Sequence, residues 1–164
     1  MSTNFSNQDF RKAMGQFATG ICVMGAKRAD GALIGMTVNS FSSVSLNPPL
    51  ILVCLGTYAP RTNAIIEAKT FSISVLSAQQ EHVSQHFAKP GEGLIPQKGC
   101  RVATNGAPVV EDALATLECE LEVTHLAGDH QIVIGRVMKL KTNPDPQPLL
   151  YFQGHYQSLD QSIS

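Results

Sequence analysis

The residues best placed to do chemistry stand together between Gly35 and Leu50, in the run GMTVNSFSSVSLNPPL. Thr37, Asn39, Ser40, Ser42, Ser43 and Ser45 put short hydrogen-bonding groups where a core strand carries valine or isoleucine. Strand alternation sends Met36, Val38, Ser40, Ser42 and Val44 one way, and Thr37, Asn39, Phe41, Ser43 and Ser45 the other. Both faces therefore mix apolar and polar groups. A buried polar side chain without a partner is costly. Two readings meet that cost: a bound planar ligand rich in heteroatoms, or an edge strand with one face in water.

Other arrangements that carry chemistry are missing from the sequence. No GxGxxG follows a strand, and neither GxxxxGKS nor GxxxxGKT occurs, so the common phosphate cradles are absent. His82 and His86 lie one helical turn apart, but Glu81 precedes the first histidine, whereas a zinc peptidase needs the glutamate after it. That segment reads as a solvated helix face, and no metal is expected. No GxSxG elbow marks a nucleophile.

The composition narrows the remaining classes. The chain has 164 residues, enough for one domain over 1–164 with a single sizeable core. Twelve basic and thirteen acidic residues leave no field that would draw nucleic acid or an anionic membrane. Only 15% of residues are charged against 43% apolar, which points to surface hidden by self-association, with a homodimer as the default. Cys22, Cys54, Cys100 and Cys119 are widely spaced without a CxxC pair, so a disulfide scaffold is not expected. The first residues, MSTNFSNQDFRKAM, lack an apolar signal core, and no stretch reaches the roughly 20 apolar residues of a membrane span. The expected location is the cytoplasm.

The elements that must position the polar run follow from periodicity. Ser6 and Asp9 resemble a capping box, with Phe10, Met14, Phe17 and Ala18 at helical spacing and Gly20 ending the run. Ile21 to Ala26 reads as an apolar strand, Arg28 to Gly31 as a turn, and Leu33 to Ser45 as the strand that returns from it. Asn47-Pro48-Pro49 breaks the ladder, and Leu50 to Leu55 (LILVCL) is a buried strand. Asn63 to Ala68 and Ala78 to Ala88 read as helices, with Phe71 to Leu76 an alternating strand between them. Lys89 to Gly99 is a loop, of a length often found in lids. Ala115 to His125 and Gln131 to Lys141 alternate and are joined at Gly128-Asp129, and Leu149 to Phe152 forms a last strand. Six or seven hairpin-linked strands with short helices disfavour a doubly wound sheet and favour a closed or nearly closed antiparallel barrel.

In order and spacing, these pieces resemble the flavin reductase-like family with the FMN-binding split-barrel fold. The matching residues are Phe10-Arg11 with Met14-Gly15 and Phe17-Ala18-Thr19-Gly20, then Gly35 to Ser45 and Pro48-Pro49-Leu50. Further on come Val75-Leu76-Ser77, His86-Phe87-Ala88, Leu117-Glu118-Cys119, Gly128-Asp129-His130, Ile134 to Val137, and Pro148 to Phe152 with Gly154 and Tyr156. The resemblance implies a mainly β, antiparallel split barrel. It also implies an NAD(P)H:flavin oxidoreductase that passes hydride from NADH or NADPH to FMN or FAD and supplies a separate oxygenase component. A flavin-binding or electron-transfer module of the same barrel is the alternative.

The resemblance places Thr37, Asn39, Ser40, Phe41 and Ser42 along the flavin, although Phe41 also suits plain core packing. It matches Thr57 to Asn63 to the phosphate loop, with Thr57, Arg61, Thr62 and Asn63 as contacts and Arg61 standing in for a serine replaced at Ala59-Pro60. His130 becomes a nicotinamide-orienting candidate or a turn histidine without a role. Phe87 covers the ring or packs beneath it, Tyr156 lines the pocket, and Lys89 to Gly99 is a candidate lid. No side chain need act as acid or base, because the cofactors carry the hydride chemistry.

Overall fold

The computed structural model describes residues 4–143 and 147–159. Helix α1 (Asn7–Met14) opens on the expected capping box, in which Ser6 and Asp9 satisfy each other's amides, yet none of its residues is buried. Strands β1 (Thr19–Gly20), β2 (Cys22–Lys27) and β3 (Leu33–Val38) follow, then β4 (Ser42–Leu46) and β5 (Pro49–Gly56). Helix α2 (Pro60–Ala68), strand β6 (Thr70–Val75), a 3-10 turn (Ala78–Gln80) and helix α3 (Glu81–Ala88) come next. The chain continues through β7 (Cys100–Val102), β8 (Pro108–Val110), β9 (Ala115–Ala127), β10 (His130–Thr142), β11 (Leu150–Phe152) and β12 (His155–Gln157).

Seven strands form one antiparallel sheet in the order β3-β2-β6-β9-β10-β5-β4. Its two edges, β3 and β4, are consecutive in the chain, so the sheet has to curl until they meet. The polar run is thus two strands and not one. Asn39, Ser40 and Phe41 cross the gap between the sheet's ends. Ser40 ties that gap: its hydroxyl donates to the Cys54 carbonyl at 2.8 Å and accepts from the Cys54 amide at 3.1 Å. The result is an antiparallel split barrel with a seam along Asn39–Phe41.

The barrel interior holds Met24, Ile34, Val53, Leu55, Phe71, Ile73, Cys119 and Val133. Here Cys22 and Cys119 behave as small hydrophobes, and burial pushes both thiols up to about 12. Gly135 is required where β10 passes Phe71, since a Cβ there would lie 2.3 Å from the ring. The alternation of FSISVL sorts two layers. Phe71 and Ile73 enter the barrel, while Ser72 and Ser74 face outward and hold β8 through Pro108 O and Val110 N. A second cluster packs Ile21, Val23, Leu76, Phe87, Val110 and Leu149 on that outer side.

Candidate functional site

One end of the seam opens into a cleft of about 950 Å³, within the range of small-molecule sites. Asn39, Ser40 and Phe41 form one wall. The opposite wall comes from α1 and the chain after it (Phe10, Met14, Phe17 and Thr19), and Tyr151, Gln153 and Gly154 close the end. The closed end is pinned to the α1 wall: the Gln153 amide donates to Gly15 O at 2.9 Å, and its side chain donates to Gln16 Oε1 at 2.9 Å. Gln153 and Gly154 both have positive φ, the geometry of a two-residue hairpin turn, which aims the turn at α1. Phe10, Met14 and Phe17 remain 52%, 55% and 77% exposed, so the apolar lining is open to a ligand or a second chain.

A second group lies further along β5. Cys54, held by Ser40, is two residues from Gly56, about 7 Å along the strand. There His130 pairs with Gly56, and the Thr57 amide donates to Asp129 O at 2.9 Å. The Asp129 carboxylate meets His130 Nδ1 at 2.7 Å, and that hydrogen bond holds Asp129 below the ordinary aspartate range. Thr57 Oγ1 is buried with no hydrogen-bond partner among the described residues. Helix α2 begins just beyond, at Ala59-Pro60, without a side-chain cap. Pro60 has no amide N–H and the Thr62 amide is taken by Ala59 O at 2.9 Å, so what suits a phosphate here is the unpartnered Thr57 hydroxyl beside an uncapped helix start. Together with the cleft, these residues fit a flavin and its phosphate.

The remaining sequence-derived candidates sit elsewhere, and several expectations need correction. Arg61 turns inward: its guanidinium donates to Gly35 O, Phe87 O and Lys89 O, each at 2.8 Å. Burial pulls it below the usual arginine value. Its charge clamps β3 to α3 rather than reaching a phosphate. Thr62 is fully buried and spends its hydroxyl on Gly56 O. Phe87 is also fully buried and packs under β3, where a Cβ on Gly35 would come within 2.8 Å of the ring. Residues 89–99 are sewn to the outer edge of β3 by Gly35 N to Gly93 O and Ile95 N to Leu33 O, an edge cover and not a lid. Thr37 donates to Ser84 O at 2.7 Å, and Tyr156 shares a 2.9 Å hydrogen bond with Ser84 Oγ. Ser42 and Asn63 are exposed and lie outside the cleft lining. Phe10, Met14 and Phe17 were legible only as residues at helical spacing, and spacing does not tell a cleft wall from any other helix face, which is why this wall escaped the sequence reading.

A family model described as a flavin reductase like domain matches residues 14–160. The chain belongs to the flavin reductase-like family. This flavin reductase-like chain is 40% identical to an NADH-dependent flavin reductase of a Rhodococcus species over 152 residues, covering 92% of the chain and 85% of the relative. It is 36% identical to the reductase component of a 4-hydroxyphenylacetate 3-monooxygenase of Thermus thermophilus, covering 92% of the chain and 95% of the relative. Among solved structures it is similar to a Streptomyces globisporus NADH:FAD oxidoreductase in complex with NAD and FAD fragments. That match has a TM-score of 0.90 at 31% identity and spans 99% of this chain and all of the other.

Proposed function

We infer that this flavin reductase-like protein is an NAD(P)H:flavin oxidoreductase that reduces FMN or FAD and supplies the reduced flavin to a separate monooxygenase. The observation that carries the reading is the open cleft beside the Asn39–Phe41 seam, which leaves room against the barrel wall. When bound, a nicotinamide and a flavin would supply direct hydride transfer, from nicotinamide C4 to flavin N5. The protein's part is to hold, orient and keep water out.

Asn39 and the backbone of the seam face the cleft as short polar groups that meet ring heteroatoms without filling the space. Phe10, Met14 and Phe17 supply the apolar cover that excludes water. The Thr57 hydroxyl at the uncapped start of α2 holds a phosphate, and His130, fixed by Asp129, orients the nicotinamide side. Alignment is where the rate gain lies, since well-oriented reactants gain roughly 7–11 kcal/mol over a bimolecular encounter.

The protein works as a homodimer of one domain per chain. Support comes from α1, which buries nothing within one chain while exposing Phe10 and Met14. Four free thiols suit a reducing compartment, the cytoplasm; no helix among the described residues is long and apolar enough to cross a membrane. The deciding experiment mixes purified protein with NADH or NADPH and excess FMN or FAD and follows the nicotinamide absorbance. Many turnovers per protein are expected. A single stoichiometric bleach, or none, would mark a flavin-binding module instead.

A further inference from the structure

Thr19 is unlike the other residues of the cleft. Its side chain belongs to the lining, yet its Oγ1 is buried with no hydrogen-bond partner among the described residues. An unmet buried hydroxyl costs roughly 1–3 kcal/mol, so one that persists beside a cleft calls for a partner. Its neighbour indicates the use. Thr19 pairs directly with Tyr151 across β1 and β11, and Tyr151 also lines the cleft. A hydroxyl and an aromatic ring therefore stand side by side where the α1 wall meets the closed end.

The ring is held from behind. Tyr156 meets Tyr151 edge-on, with centroids 5.6 Å apart at 68°, and is itself anchored through its hydroxyl to the fully buried Ser84. Ser84 in turn receives Thr37 from β3, the strand that leads into the seam. The chain Thr37, Ser84, Tyr156, Tyr151 thus ties the strand that leads into the seam to the ring in the cleft. To reach a ligand in the cleft, the Thr19 hydroxyl has to leave this buried position for another staggered χ1 well.

We propose that Thr19 and Tyr151 form a recognition point for a planar heteroaromatic ring that carries a carbonyl oxygen at its edge. Thr19 Oγ1 donates to that oxygen and Tyr151 contacts the ring, while Ser84 and Tyr156 are positioning residues. Both the isoalloxazine and the nicotinamide carboxamide have this chemistry. The assignment rests on the flavin reductase reading, and its test separates the two.

The test compares Thr19→Val, Thr19→Ser and the parent in three measurements: melting temperature without ligand, binding of FMN by fluorescence quenching, and KM for NADH. Thr19→Val keeps the shape and removes the hydroxyl. Its ligand-free melting temperature should be equal to or above the parent's, while FMN affinity falls or the NADH KM rises by about five- to twentyfold. Thr19→Ser should restore binding. A change confined to FMN assigns the flavin ring, and one confined to KM assigns the carboxamide. Unchanged binding and KM in Thr19→Val, or a melting temperature well below the parent's, overturns the proposal by giving the hydroxyl no ligand role or a structural one. If the parent itself neither binds FMN nor oxidises NADH, the failure lies in the reductase reading.

Discussion

Replacing Arg61 by alanine should unfold the protein earlier without greatly weakening its hold on flavin. Three hydrogen bonds from one cation, each 2.8 Å, join Gly35 of β3, Phe87 of α3 and Lys89 beyond it. Hydrogen bonds to a charged group contribute about 1.5–3 kcal/mol each. Truncation also strands carbonyls that water reaches only in part. A net loss of about 3–5 kcal/mol is therefore expected, less than the sum because the vacated space admits some solvent. For a chain of this length each kcal/mol lowers the melting temperature by about 2–4 °C, so the drop should be about 6–20 °C. Arg61→Lys should recover only a fraction, because one ammonium cannot serve carbonyls that the planar fork reaches through two nitrogens. Circular-dichroism melts, paired with FMN titration at a temperature where both variants stay folded, read the two effects separately. A melting temperature within about 2 °C of the parent, together with a tenfold loss of FMN affinity, would refute the reasoning and return the guanidinium to the phosphate.

Other changes probe different parts of the molecule. His130→Ala should raise KM for the nicotinamide severalfold with flavin affinity nearly unchanged, and unaltered steady-state kinetics would remove His130 from the site. Gly35→Ala should cost about 1–3 kcal/mol, because the new methyl meets the Phe87 ring at 2.8 Å; adding Phe87→Leu should recover part of it in a denaturant melt. Burial raises the Glu118 pKa, but hydrogen bonds from Thr104 and Asn105 and the charge of Lys139 outweigh it, leaving the net value below the ordinary 4.5. A folded pKa below the unfolded one means stability that is fully present above about pH 4.5 and lost as pH falls through the lower, folded value. Glu118→Gln should thus be less stable than the parent at neutral pH, with the gap closing under acid. A gap that persists unchanged in urea melts down to pH 3 would remove Glu118 from the acid response.

The sequence carried the fold to a considerable depth. Periods of two in ATLECELEVTH and QIVIGRVMKLK, and turn residues at Gly128-Asp129, specify β9, β10 and their hairpin, because strand faces and turn geometry are local properties. The capping box at Ser6 and Asp9 specifies the start of α1 in the same way. Short pieces were harder. Strands β7, β8 and β12 have three residues each, too few to show a period, and β8 is recruited through Ser72 and Ser74, which read locally as an ordinary alternation.

By itself, then, the sequence determined the antiparallel strand content, the family resemblance and the polar run of which Asn39, Ser40 and Phe41 line the cleft. It could not decide where that run breaks. The break at Asn39–Phe41 follows from a sheet whose first and last strands adjoin in the chain, which is a matter of closure and not of local preference. Nor could residue type tell a cation at a phosphate from a cation in the interior. Arg61 and Thr62 occupy a segment that suits anion binding, but the helix they begin turns both side chains toward protein carbonyls. Side-chain direction is set by how α2 docks on the barrel, through contacts between residues 26 positions apart such as Arg61 and Gly35, and spacing along the chain does not encode them.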